Sequence, residues 1–221
     1  MGSEADQDNV IPDTIDNLNE VQKVYDHAIR MDIERCTVAD GVLSIPELMA
    51  SVSPSSVLHE WLKDRDYNRT QEQDILQAAR LGQSGKIIKN VLVDRNVLVL
   101  EDLQQFMSPS DITMTTLPRE QVEIKPDASV AYLDADKLQG ELTIRLVLPS
   151  DSFQPFGMKG RKLLSDFLTD RKLNIFQKRH QLVLCDSTDI CWVVGLRSSE
   201  RYRVDETTKR VVVVSCKQMK K

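Results

Sequence analysis

The sequence predicts an α+β protein, a small all-helical domain followed by a β-rich mixed domain. Three observations lead there. Over the first eighty or so residues, apolar side chains recur at helical spacing behind Ser, Thr and Pro start signals. Beyond them the apolar residues gather into short β-branched runs separated by turns. Charge changes along the chain as well. Residues 1–140 carry 13 Lys and Arg against 25 Asp and Glu, and residues 141–221 carry 16 against 9, so the net charge of −5 conceals an acidic part and a basic part.

Taken in order, residues 13–31 (DTIDNLNEVQKVYDHAIRM) set Ile15, Leu18, Val21 or Gln22, Tyr25 and Ala28 or Ile29 on one stripe, an amphipathic helix with Pro12 and Asp13 near its start. Ser44-Ile45-Pro46 opens a second helix, with serine as cap and proline in the first turn. SSVLHEWLKDRD supplies a third, burying Val57, Leu58, Trp61 and Leu62. Thr70 and Gln73 have capping-box spacing ahead of a fourth, TQEQDILQAARL, whose inner face is Ile75, Leu76 and Ala79.

The period then shortens. IIKNVLV and VLVLEDL flank Asp94-Arg95-Asn96 and predict a hairpin. The stretch SPSDITMTTLPREQVEIKPDAS is punctuated by Ser and Pro, with weak strands and a turn at Lys125-Pro126-Asp127. Residues 130–147 predict strand, turn around Gly140, strand; QLVLCD, ICWVVGL and RVVVVSC predict three more strands. The expected organisation is a helical domain over 11–103 that ends in a hairpin, a linker over 104–125, and a mixed domain over 126–217.

A chain of 221 residues, 41% hydrophobic and 29% charged, has the composition of ordinary globular material and can bury a sizeable core. It has no run of 18 apolar residues, and its first residues are acidic and polar, which argues against a signal peptide, a transit peptide or a membrane span. Met-Gly-Ser at the start is set aside from fold reasoning. Cys36, Cys185, Cys191 and Cys216 form no CxxC, and His27, His59 and His180 fall in separate segments, so no zinc site is expected. Free buried thiols and a cytoplasmic location are the expectation.

Signals for catalysis are missing. Gly82-Gln-Ser-Gly85-Lys86 lacks the spacing and the hydroxyl of a phosphate loop and reads as a helix stop. Asp134 and Asp136 stand two apart on a strand end, where they either hold a metal or form a turn and a solvated edge. The basic stretch PFGMKGRKLLSDFLTDRK is more informative. Gly157 and Gly160 let the backbone turn and approach a partner, while Lys159, Arg161 and Lys162 stand before a helix whose opening N–H groups attract anions. The plain alternative is a glycine loop with solvated cations. Arg171, Lys172, Lys178 and Arg179 follow, then Arg197, Arg201 and Arg203 around Tyr202, which is either a stacking platform or a core aromatic, as is Trp192, for which the core is favoured.

In order, YLDADKL, GELTIR, PFGMKGRKLLSDFLTDRK, ICWVVGLRSSERYRV and TKRV resemble the C-terminal domain of bacterial tRNA(Ile)-lysidine synthetases. The helix at 13–31, LHEWL, TQEQDIL, QSGK and the DRN hairpin resemble that family's helical middle domain. The chain departs from the family pattern over Leu146–Phe153, is shorter between QSGK and VLVDRN, and has Asn174 where many members carry proline.

The resemblance implies a terminal domain similar to the β-rich sandwich of a phenylalanyl-tRNA synthetase β-subunit domain. It further implies an enzyme that uses ATP to adenylate the wobble cytidine of a minor isoleucine tRNA and then attaches lysine. Family chemistry resides in an N-terminal domain with a Ser-Gly-Gly-x-Asp-Ser loop, and no two glycines here are adjacent. ATP and Mg are therefore expected in that catalytic domain, outside this sequence, with no cofactor in this chain, which is expected to hold tRNA and not to catalyse. The implied partners are tRNA(Ile) with a CAU anticodon, the catalytic domain and a second copy of the chain, with no membrane. Lys159, Arg161, Lys162, Arg197, Arg201 and Arg203 are the first expected phosphate contacts, with Arg145, Lys172, Lys178 and Arg179 behind them and Gly157 and Gly160 admitting the backbone. The rival expectation is a protein-interaction module with a basic face.

Overall fold

The computed structural model describes residues 10–217, with side chains from Asn17 onward. It divides into two compact units, Met1–Gln104 and Gln105–Lys221. Among the described residues no helix is long and apolar enough to cross a membrane.

The first unit opens with a long helix, α1 (Val10–Cys36). Two short strands, β1 (Thr37–Ala39) and β2 (Val42–Ser44), lead into α2 (Ile45–Met49), α3 (Pro54–Trp61) and α4 (Arg69–Arg80). Then come β3 (Ile87–Ile88), β4 (Val91–Asp94) and β5 (Val97–Leu100). Ser44 caps α2 with Pro46 in its first turn, as its residues dictate. The α4 cap differs from expectation. Asn68, not Thr70, makes the capping box: Asn68 Oδ1 accepts from the Gln71 N–H at 2.9 Å, and Gln71 Oε1 accepts from the Asn68 N–H at 3.1 Å. The helix therefore starts one residue before Thr70, which lies inside it.

The expected hairpin is β4–β5, closed by a two-residue loop with Asp94 facing Val97. It is part of a five-stranded sheet, in the order β1-β2-β5-β4-β3, so the unit is helical with a sheet and not all-helical. The three additional strands are two or three residues long and too short to leave a period in the sequence. Leu43, Leu48, Leu58, Ile75, Leu98 and Leu100 are fully buried where helices meet sheet. Among the described side chains of α1, the buried ones are Ile29, Asp32 and Cys36. Leu18 and Val21, expected on an inner stripe, are 63% and 66% exposed, because nothing among the described residues of the unit covers them. Ile15 lies outside the described side chains.

The second unit contains β6 (Ile112–Pro118), β7 (Val130–Asp134), β8 (Thr143–Leu146), β9 (Ser152–Phe153), β10 (Lys162–Leu163), α5 (Leu164–Asp170), α6 (Ile175–Arg179), β11 (Leu182–Cys185), β12 (Ile190–Val193), β13 (Arg197–Ser198) and β14 (Arg210–Cys216). Strands β13-β12-β11-β8 form one sheet, β6-β14-β7 a second, and β10-β9 a small ribbon. The run Leu182–Cys185 is buried at every position because both faces of β11 are covered. Leu182 and Leu184 join Ala131, Leu133, Val212 and Val214 of the three-stranded sheet, while Val183 and Cys185 join Leu164, Phe167 and Leu168 of α5. The layers are thus sheet, sheet and helix.

Residues 104–125, expected as a linker, contribute β6, which pairs along its whole length with β14. As an edge strand it exposes Thr113, Met114, Thr115 and Thr116, and that lack of apolar alternation leaves only a weak strand signal in the sequence. Asn174 caps α6 with a full capping box to Gln177, the work of a helix-start residue. Asp134 is buried and accepts from the Thr208 hydroxyl at 2.7 Å and the Asp136 N–H at 3.0 Å, while Asp136 faces Arg210. This pair builds a strand end. The four cysteines are buried and free, and burial pushes the Cys191 thiol up to about 12.

Candidate nucleic-acid interface

The basic stretch forms the connection from β9 to β10. Gly157 takes φ +85°, a conformation that side chains with a Cβ rarely adopt, so glycine is required by the turn itself. Gly160 has no such constraint, and a Cβ there would meet nothing within 4 Å. The loop is held from several sides. The Phe156 N–H donates to Ser198 O at 2.9 Å, the Met158 N–H donates to Pro155 O at 2.9 Å, Gln154 Nε2 donates to Met158 O at 2.7 Å, and the Gly157 N–H donates to Glu200 Oε2 at 2.8 Å. The clamp leaves Phe156 and Met158 exposed at 38% and 46%.

The expected anion site at the helix start is corrected by the structure. Lys162 and Leu163 are strand, α5 has only seven residues, and the Leu164 N–H already donates to Asp151 O at 2.8 Å. Tyr202 takes the core alternative: it is fully buried beside Trp192 and cannot stack on a base. Burial, together with the negative charges nearby, pushes its hydroxyl pKa well above the usual tyrosine range.

The predicted cations fall into three groups. Several are engaged by carboxylates of the same unit. Arg145 forks onto Asp151 at 2.7 and 2.9 Å. Arg161 forks onto Asp189 at 2.5 and 3.1 Å and donates to Ser152 O, and Arg201 reaches the same Asp189 at 3.5 Å. Lys162 pairs with Asp170, and Arg203 with Glu200 at 3.3 Å. Burial alone would raise the Asp151 pKa, but the Arg145 fork and the Leu148 N–H hold it below the usual carboxylate range. Lys178 and Lys172 form a second group: Lys178 donates to the Thr169 hydroxyl at 2.8 Å, and Lys172 is exposed just past α5. Among the described residues, Lys159, Arg179 and Arg197 are exposed and have no acidic partner.

Phe156 and Arg197 both line a cleft of about 630 Å³, with Lys125, Tyr132, Leu196 and Arg203 among its other walls. The Arg203 guanidinium lies 5.4 Å from the centre of the Phe156 ring. Phe156 and Arg197 also line an adjoining hollow of about 350 Å³, together with Met158, Lys162 and Arg171. An apolar floor with cations at its edge can accept a flat ring and a phosphate together. Neither Phe156 nor Lys125 stands out as a site residue in the sequence. The available signal is an aromatic followed directly by glycine inside a basic stretch.

A family model for the B3/4 domain matches residues 63–218. The chain belongs to the B3/4 domain family. It is also similar to proteins named tRNA(Ile)-lysidine synthase. With that of Bacteroides thetaiotaomicron it shares 37% identity over 219 residues, covering 93% of this chain and 50% of the relative. With that of Parabacteroides distasonis it shares 33% over 226 residues, covering 94% and 51%. The resemblance expected from the sequence thus extends along nearly the whole chain, which spans about half the length of these relatives. A solved TILS C-terminal domain matches with a TM-score of 0.45 at 18% identity, covering 52% of this chain and 91% of that one. An N-terminal fragment of the phenylalanyl-tRNA synthetase β-subunit from Pyrococcus horikoshii matches with a TM-score of 0.35 at 22% identity, covering 38% and 27%.

Proposed function

We propose that this B3/4 family chain is the tRNA-holding portion of a tRNA(Ile)-lysidine synthase and that it positions tRNA(Ile) with a CAU anticodon without catalysing. The observation that carries the reading is the similarity to tRNA(Ile)-lysidine synthases along more than nine-tenths of the chain. The second unit supports it with exposed Lys159, Arg179 and Arg197, to which Lys172 and Lys178 add further positive charge. Such side chains contact phosphates without regard to base sequence. In this reading ATP and Mg serve a catalytic domain in the other half of the relatives' length, the protein works in the cytoplasm, and the basic unit faces the tRNA.

The test is a titration of labelled tRNA(Ile) carrying CAU, and of a generic tRNA, at two salt concentrations. About four phosphate contacts give a log–log salt slope of roughly −3 to −4. Affinity independent of salt would remove the reading. Tight self-association, or capture of an acidic surface with no preference for tRNA over heparin, would favour a protein-interaction module.

A further inference from the structure

We propose that the cleft beside Phe156 takes one unpaired ribonucleotide, with its base stacked on the Phe156 ring and its phosphate at Arg197. This rests on the reading that the second unit binds RNA, and it specifies which form of RNA that face accepts. Four features converge on it.

The first is an exposed phenyl ring that the fold works to present. Hydrogen bonds from the Phe156, Gly157 and Met158 N–H groups and from Gln154 fix the loop that carries it, so the ring is preorganised and binding has little ordering to do. The second is the Arg203 guanidinium over that ring, a flat cation–aromatic pair of the kind on which bases stack.

The third is shape. A hollow of about 630 Å³ lies within the size range of small-ligand sites, and its walls include Tyr132, Leu196 and Val204. A duplex keeps its bases inside and offers phosphates and groove edges, which leaves such walls without a partner; an unstacked base covers them. The fourth is charge. Arg197 lines the cleft with no carboxylate partner among the described residues, while Lys125 pairs with Glu123 at 3.1 Å and Arg203 with Glu200 at 3.3 Å, and the lining carboxylate Asp127 accepts from the N–H and hydroxyl of Ser129. The uncompensated Arg197 favours an anionic partner over a neutral apolar peptide.

The experiment measures, by fluorescence anisotropy, the binding of labelled oligoadenylate and of a hairpin RNA with the same number of phosphates to the full chain and to its Phe156→Ala and Phe156→Trp variants. Phe156 is exposed, so both variants are expected to fold, and a thermal melt of each checks it. Loss of one stacked base should weaken oligoadenylate binding roughly tenfold in Phe156→Ala, change hairpin binding less than about twofold, and be restored in Phe156→Trp. Equal effects on the two RNAs, or none, would overturn the proposal while leaving RNA binding through phosphates intact. Failure of the unmodified chain to bind either RNA would overturn both readings. An acidic peptide that binds as tightly as oligoadenylate, with the same dependence on Phe156, would assign the cleft to a protein partner and overturn the nucleotide.

Discussion

Arg145 and Arg161 on one side, Lys159 and Arg197 on the other, are cations of the same unit with opposite surroundings. Asp151 and Asp189, the carboxylates that hold the first two, are side chains only 9% and 5% exposed, and both arginines meet them through two nitrogens. Lys159 and Arg197 are exposed with no carboxylate in reach among the described residues. An arginine whose fork already matches a carboxylate contributes to the fold and offers a partner little uncompensated charge. An unpaired one keeps its full field for an incoming anion. The difference teaches that the basic character of the second half is two things: part of it neutralises buried acids, and the remainder is what a polyanion meets.

The largest effect expected is on acid stability, through a carboxylate of the same unit that backbone donors hold in place of an arginine. Burial alone would raise the Asp186 pKa, but N–H donors from Thr188, Gln139 and Asp189 and the Thr188 hydroxyl bring it down to about 2. A depressed carboxylate contributes stability above its unfolded pKa near ~3.9 and loses it as pH falls through the folded value. About 2–3 kcal/mol should therefore disappear between roughly pH 4 and pH 2, with Asp151 acting in the same direction. Urea midpoints of the wild type and Asp186→Asn across that window check this, since the variant should lose the part of the dependence that Asp186 contributes.

Arg145→Ala comes next. It should cost about 2 kcal/mol, an amount already discounted for the partial exposure of the guanidinium, because Asp151 keeps only its backbone donor. RNA affinity of the folded variant should stay within about twofold. A large fall in RNA affinity at unchanged stability would break the division between the two groups.

Gly157→Ala should cost about 1 kcal/mol through its positive φ, and Gly160→Ala should change stability by less than about 0.5 kcal/mol. Comparing the two by thermal denaturation and RNA titration sharpens the contrast. Weaker RNA binding by a stable Gly160→Ala variant would indicate that a partner's backbone approaches there.

Much of the local structure is legible in the sequence because its causes are local. Ser44 and Pro46 announce α2 within three residues, and the β4–β5 hairpin is written in two β-branched runs about a short turn. The Leu182–Cys185 run announces a strand, but not which neighbours cover its two faces, since Leu133 and Leu164 come from distant segments. Strand β6 is legible only as a weak strand within an expected linker, because an edge strand of exposed threonines carries no apolar alternation. At the candidate site the cations are visible, but their assignments are not: Arg161 finds Asp189 twenty-eight positions away, and Arg145 meets Asp151 across a turn. Phe156 is hidden because its exposure depends on the clamp from Ser198 and Glu200, which only the folded chain assembles.

The most direct measurement is the salt dependence of tRNA(Ile) binding to the wild type, to Lys159→Ala/Arg197→Ala and to Arg145→Ala. Removal of the two unpaired cations should leave stability within about 0.5 kcal/mol and make the log–log slope shallower by about 2, one for each phosphate that no longer meets a cation. Arg145→Ala should keep the wild-type slope while melting earlier. A double variant that binds with an unchanged slope, or an Arg145→Ala variant that alone flattens it, would contradict the assignment of RNA contacts to the unpaired cations.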